Sequence, residues 1–165
     1  DYDGVGFCDP AIFRPSSGLW AVSGITTVYY GGSGDRPVPG DFDDDGTDEI
    51  AVYRSATGLW AIRGLTRLYY GAPGDLPVPG VYSWEGGAAP FPLLPAIFRP
   101  ATGLWAVRGK SRVYYGSWGD TPIPAAFDGG VLDGPAVFRG STGLWAIRNL
   151  TRVYFGRDGD SPVTR

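Results

Sequence analysis

The chain of 165 residues is long enough for one domain with a sizeable core and short for two. An aromatic content of 15% beside 27 Gly and 15 Pro supplies core side chains and turns while breaking helices, which points to an all-β protein. A net charge of −3 with dispersed basic residues excludes a concentrated nucleic-acid or membrane-binding face, and no apolar run is long enough to cross a bilayer.

Methionine is absent, so a processed and exported product is expected, with a piece of a longer protein as the alternative. Cys8 is the single cysteine, which leaves a free thiol or an intermolecular bond and no internal disulfide.

Residues 1–9 read DYDGVGFCD and lead into AIFRPSSGLWAVSGITTVYYG. The same order returns as AVYRSATGLWAIRGLTRLYYG, AIFRPATGLWAVRGKSRVYYG and AVFRGSTGLWAIRNLTRVYFG, each followed by a loop resembling GDxPVP. Trp20, Trp60, Trp105 and Trp145 stand at intervals of 40, 45 and 40 residues. Repeats near this length include propeller blades and helical solenoids. Helical repeats are excluded, because each copy is β-branched and aromatic and is cut every few residues by Gly, Pro or Ser/Thr-Gly.

Each copy therefore reads as a four-stranded antiparallel meander. In the second, strands are expected over Pro37 to Phe42, Ile50 to Arg54, Leu59 to Arg63 and Arg67 to Tyr70. Gly24, Gly64, Gly109 and Asn149 fall at the last hairpin, where positive φ is wanted and Asn is the best non-glycine substitute. Asn149-Leu150-Thr151 is also a glycosylation sequon, read first as turn chemistry.

Four such repeats predict a four-bladed β-propeller occupying 1–165 as a single domain, with repeats at about 1–36, 37–76, 77–121 and 122–160. Residues 161–165 would complete the first blade, since Ser161-Pro162-Val163 matches the start of a first strand and the opening repeat lacks one. The same strand could instead enter a neighbouring copy and build an assembly.

Residues 41–49, DFDDDGTDE, gather the densest acidic charge. Like charges this close repel unless something positive sits among them. Counting from Asp41, carboxylates fall at the first, third, fifth and ninth places (Asp41, Asp43, Asp45, Glu49), with Gly46 for the sharp bend and the Thr47 carbonyl beside it. Hard oxygen donors in a flexible loop suit Ca²⁺, which takes six to eight of them at roughly 2.3–2.6 Å. An EF-hand would need a later last carboxylate and flanking helices. The bland alternative is a solvated acidic turn.

The stretch GDFDDDGTDEIAVYR resembles the FG-GAP or integrin-α-like propeller repeats, related to the VCBS-type repeats of bacterial surface proteins. In that family DxDxDGxxD joins the first and second strands of a blade and holds Ca²⁺. The resemblance implies that role for Asp41, Asp43, Asp45, the Thr47 backbone and Glu49, with Glu replacing Asp at the last place. The first loop keeps Asp1, Asp3 and Asp9 but has Val5 at the fifth place, and is expected to be a weaker second site. The fourth keeps only Asp128, with Asp133 one place early, and the third has become VYSWEGGAAPFPLLP; neither is expected to bind metal.

Arg14, Arg54, Arg99 and Arg139 recur at the end of the second strands, where pairing with Asp35, Asp75, Asp120 and Asp160 is expected in preference to ligand binding. The four repeated Trp are expected to fill wedges between blades, with sugar-stacking platforms as the alternative. In the third loop Trp84, Phe91, Leu93 and Leu94 are expected to form a contact surface or a flap, and Trp118 and Cys8 are further interface candidates. With no His, no nucleophile-elbow serine and no basic partner for Cys8, catalysis is not expected. The sequence thus reads as a secreted or cell-surface, non-catalytic calcium-binding propeller that scaffolds or adheres to proteins, copies of itself included. A carbohydrate-binding propeller is the competing reading.

Overall fold

A computed structural model describes residues 1–82 and 91–163. The described residues form no helix; fifteen strands make four antiparallel sheets, and the chain divides into two compact units.

The first unit holds residues 1–73 with 91–93. Its first sheet has three strands, β1 (Ala11–Arg14), β2 (Leu19–Val22) and β3 (Thr26–Tyr29). Its second has four, β4 (Asp35–Pro37), β5 (Ala51–Arg54), β6 (Leu59–Ile62) and β7 (Thr66–Tyr69), in sequence order. The two sheets share a core of Trp20, Ile50, Val52 and Ala61, with Phe13 and Tyr30 packed against it.

The second unit, residues 74–82 with 94–163, repeats the plan. One sheet contains β8 (Leu76–Pro77), β9 (Ala96–Arg99), β10 (Leu104–Val107) and β11 (Arg112–Tyr114). The other contains β12 (Asp120–Pro122), β13 (Ala136–Arg139), β14 (Leu144–Ile147) and β15 (Thr151–Tyr154). Trp105, Val137 and Ala146 take the core places that Trp20, Val52 and Ala61 hold in the first unit.

Why these residues make these sheets is clearest in β5 and β6. Both are buried on both faces, so AVYR and LWAI are nearly continuous apolar runs, whereas the outer β7 is mostly exposed. Tyr53 faces Trp60 across the ladder with ring centroids 5.0 Å apart, and Phe98 faces Trp105 at 5.3 Å. Trp20, Trp60 and Trp105 are therefore buried core residues, and Trp20 and Trp105 pack in the cores that the two sheets of their unit share. The indole N–H groups of all four repeated Trp donate to the carbonyls of Tyr30, Tyr70, Tyr115 and Phe155 at 2.9–3.1 Å, fastening the exit of each outer strand. This excludes Trp20, Trp60 and Trp105, each 2% exposed or less, as sugar platforms.

The Gly before each Leu-Trp fits the same junction. Gly103 has φ +68°, and a Cβ there would run into the Gly116 carbonyl, so the tight turn into β10 requires glycine.

The first strands begin earlier than the sequence suggests. β4 starts at Asp35 and ends at Pro37; pairing then continues only through Val38 N–H to the Ala51 carbonyl and a bridge between Gly40 and Glu49. Pro39 has no N–H to give the ladder, which breaks the strand expected over Pro37 to Phe42.

What anchors such short first strands is an ion pair. Arg54 Nε and Nη2 donate to the two Asp35 carboxylate oxygens at 2.7 and 2.9 Å, and Asp35 also accepts the Gly32 N–H at 3.0 Å. Arg99–Asp75 and Arg139–Asp120 repeat the fork. The recurrent arginines expected to pair with loop carboxylates do so in all three four-stranded sheets.

The expected ring closure is not present among the described residues. The first sheet keeps three strands, and residues 161–163 belong to none, although Asp160-Ser161-Pro162 matches Asp35-Arg36-Pro37 in sequence. Ile12 on β1 is 53% exposed where its counterparts Val52, Ile97 and Val137 are 2% exposed.

The Asp35 side chain is fully buried while that of Arg54 is 43% exposed, so the two halves of the fork differ in what their loss leaves behind. Arg54→Ala strands a buried carboxylate and should cost about 3–5 kcal/mol of stability. Asp35→Ala leaves a guanidinium that can turn to water and should cost clearly less. Urea unfolding of both variants checks the order.

Candidate metal site in the acidic loops

The loop between β4 and β5 is shaped by its own carboxylates. Asp41 accepts the Asp44 N–H at 2.6 Å and the Gly46 N–H at 2.9 Å, one on each oxygen, and Glu49 accepts the Phe42 N–H at 2.8 Å. Asp44 and Gly46 both have positive φ (67° and 89°), which folds the chain tightly enough to bring the ends of the loop together. As a result carboxylate oxygens of Asp41, Asp43 and Glu49 lie within 4.8 Å of one another.

The first loop repeats the arrangement. Asp1 accepts Gly4 N–H at 2.7 Å and Gly6 N–H at 2.6 Å, Asp9 accepts Tyr2 N–H at 2.7 Å, and Asp1, Asp3 and Asp9 converge within the same 4.8 Å. Gly4 has φ +74°, the conformation Asp44 adopts at the matching place. That alignment of Asp44 with a glycine was the sequence signal for a left-handed residue at the bend, and the carboxylate pattern overshadowed it.

Two of the expected ligands sit differently from the other three. Asp45 Oδ1 accepts both the Thr47 hydroxyl at 2.6 Å and the Thr47 N–H at 2.8 Å, and lies outside the converging group. The Thr47 hydroxyl, and then its N–H, hold Asp45 below the usual carboxylate range. Thr47 is half-buried, its donors both turned to Asp45.

Glu49 is pushed the opposite way. Partial burial raises its pKa first, and the charges of Asp43, Asp45 and Asp41 raise it further, against the lowering effect of the Phe42 N–H. Three carboxylates are thus held together at a cost that a cation would relieve.

The donor set fits a hard cation. Two oxygens on opposite sides of Ca²⁺ stand about 4.6–5.2 Å apart, twice the roughly 2.3–2.6 Å bond length. The spread of these carboxylates matches that span, and each carboxylate keeps lone pairs beyond those its N–H partners use. Sulfur and nitrogen donors are absent from both groups.

Neighbouring loops are joined by one recurring backbone bond. Asp48 N–H donates to the Asp1 carbonyl at 2.8 Å, and Leu93 N–H to the Asp41 carbonyl at 2.7 Å, both within the first unit. In the second unit Asp133 N–H donates to the Val81 carbonyl at 2.7 Å, and the Asp133 carboxylate accepts Val81 N–H at 2.8 Å. Asp133 is therefore a loop clasp, and Asp128 accepts the nearby Gly130 N–H at 2.9 Å.

The remaining interface candidates divide. Trp84 lies outside the described residues. Leu93 packs on Gly40 closely enough that a Cβ there would collide with it, and Leu94 packs on the second unit's core; both are half-buried. Phe91 is half-buried. Trp118 is 79% exposed, and Cys8 is an exposed free thiol.

No protein-family model matches the chain, and searches of curated proteins and of solved structures likewise return no match.

Tyr2 offers a direct check of the loop's electrostatics. Burial, then the carboxylates of Asp48 and Asp9, push its phenol up to about 12 from an ordinary 10.0. The folded chain holds this proton longer than the unfolded one, so the associated stability is present below about 10 and is lost as pH rises toward 12. The phenolate absorbance of the native protein, compared with a Tyr2→Phe variant, should show one tyrosine titrating in that late range.

Proposed function

We propose that the chain is a non-catalytic, calcium-binding β-propeller module working outside the cell, secreted or at its surface, as an adhesive or protein-binding scaffold. The observation that carries this reading is the convergence of three carboxylates at the same bend in two successive repeats, on the same backbone frame. The resemblance of GDFDDDGTDEIAVYR to FG-GAP repeats supports both the ion and the blade assignment, as do four sheets of one repeated plan.

Asp41, Asp43 and Glu49 would hold the ion, with Asp45 and the Thr47 carbonyl recruited as the loop tightens; Asp1, Asp3 and Asp9 form the weaker site. When bound, the ion supplies charge neutralisation and stiffness, and no reaction is assigned to it. A loop with so few carboxylates belongs to the weak class of sites, with Kd on the order of 10⁻⁴–10⁻³ M, suited to calcium levels outside cells.

Self-association is part of the same proposal. β1 presents an unpaired edge and an exposed Ile12, while Tyr154, Phe155 and Val163 are 75%, 77% and 86% exposed. A strand matching Asp160-Ser161-Pro162 would cover the gap beside β1, whether it comes from the same chain, closing a four-bladed ring, or from a second copy.

Calorimetric titration with CaCl₂ should give saturable binding in the stated range together with a raised melting temperature. Asp43→Asn removes a ligand without touching the loop's backbone bonds and should weaken binding at least tenfold, about 1.4 kcal/mol. Absence of calcium heat from the folded protein, or unchanged binding by the variant, would reject the reading. Mass measurement across concentrations tests assembly, which a monomer at every concentration would contradict.

A further inference from the structure

Each compact unit contains a half-enclosed cleft where the outer strand of one sheet meets the face of the next, about 370 Å³ in the first unit and 330 Å³ in the second. Their linings are the same residue for residue at one constant offset. Tyr29, Tyr30 and Arg67 form the polar wall of the first, and Tyr114, Tyr115 and Arg152 that of the second. The apolar floor is Val52, Leu59 and Ala61 in one and Val137, Leu144 and Ala146 in the other. Repetition alone explains the floor, because its valine and alanine positions are buried in all three four-stranded sheets.

Arg67 and Arg152 stand where the third sheet has Arg112 and the first has Thr27, so the outer strand folds without arginine at that place. Both guanidinium groups are exposed or reach solvent, and among the described residues no carboxylate pairs with either. The one acid in each cleft is already spent. Asp35 accepts both donors of the Arg54 fork and the Gly32 N–H; Asp120 accepts the Arg139 fork and the Ser117 N–H. Each cleft therefore carries one uncompensated positive charge beside exposed tyrosine, Tyr29 at 73% and Tyr114 at 71%.

We propose that these twin clefts bind acidic saccharide units, a hexuronate with its carboxylate on Arg67 or Arg152 and a C–H face of its ring against tyrosine. One net charge and a planar fork match a monoanionic carboxylate, which accepts two parallel N–H donors. A phosphate dianion would want a second unpaired cation, and the other arginine of each cleft, Arg54 or Arg139, is engaged by its aspartate. An amino acid would want a spare carboxylate for its ammonium group. The ring hydroxyls meet the tyrosine hydroxyls and the arginine donors left over from the fork, and the volumes are at the small end of ligand sites, right for one ring. The inference is independent of the calcium reading.

The test uses isotope-labelled protein in EDTA, so calcium plays no part, with sodium glucuronate, glucose and sodium acetate as separate probes. Glucuronate should produce saturable shifts of the Arg67 and Arg152 Nε–Hε resonances, with Arg36 and Arg63 unmoved, and at least tenfold tighter than either glucose or acetate. Arg67→Thr, the residue the first sheet carries at that place, should abolish the response of the first cleft and leave that of Arg152. Equal response to glucose, equal response to acetate, no saturable response, or full retention by the variant would each overturn the proposal.

Discussion

Everything in these sheets is arranged around a buried carboxylate that must not be left alone. Asp35, Asp75 and Asp120 stand where each first strand begins, with side chains 0–1% exposed, and a charge so placed is tolerated only when paired and hydrogen-bonded. The pairing arginine stands at the end of the second strand, so the fork ties the two ends of the loop-bearing hairpin. The first strands need this. β8 has two residues and β4 and β12 three, each interrupted by proline, and ladders so short hold little by themselves. The acidic loops hang from strands whose register the fork sets.

The repeat, the all-β class and the four-strand order were legible because a Trp recurring in one residue context states the period outright. Strand limits were less so. A proline inside GDRPVPG reads as tolerable at an edge, but two alternate prolines remove successive donors, and the ladder migrates back to Asp35. The forks could be anticipated as charge pairing. That each indole N–H bonds a carbonyl ten residues on could not, since no side-chain pattern marks that carbonyl.

The acidic loop was legible in its spacing and not in its details. Asp41, Asp43 and Glu49 meet as alternate carboxylates suggest, yet Asp45 turns to Thr47 because a hydroxyl and an N–H two residues on are closer donors than anything across the loop. The twin clefts were invisible for a different reason. Their walls come from the outer strand of one sheet and the inner and outer strands of the next, and each stretch taken alone is an ordinary strand. Only when the sheets are set side by side within a unit does Arg67 stand out as a charge the fold does not use.

The clasp between loops gives the acidic site a reach beyond its own sheet. In the first unit the loop that gathers Asp41, Asp43 and Glu49 donates through Asp48 to the loop of Asp1, and accepts at Asp41 from Leu93. Both bonds involve backbone at the rim of the carboxylate cluster, where repulsion among like charges favours opening the loop. Neutralising that cluster steadies three segments at once, while a mobile loop would loosen all three. A cation bound here would act on the spacing of neighbouring sheets as much as on the turn that holds it. That would make the loop, rather than the apolar core, the point at which the surrounding solution adjusts the stiffness of the unit.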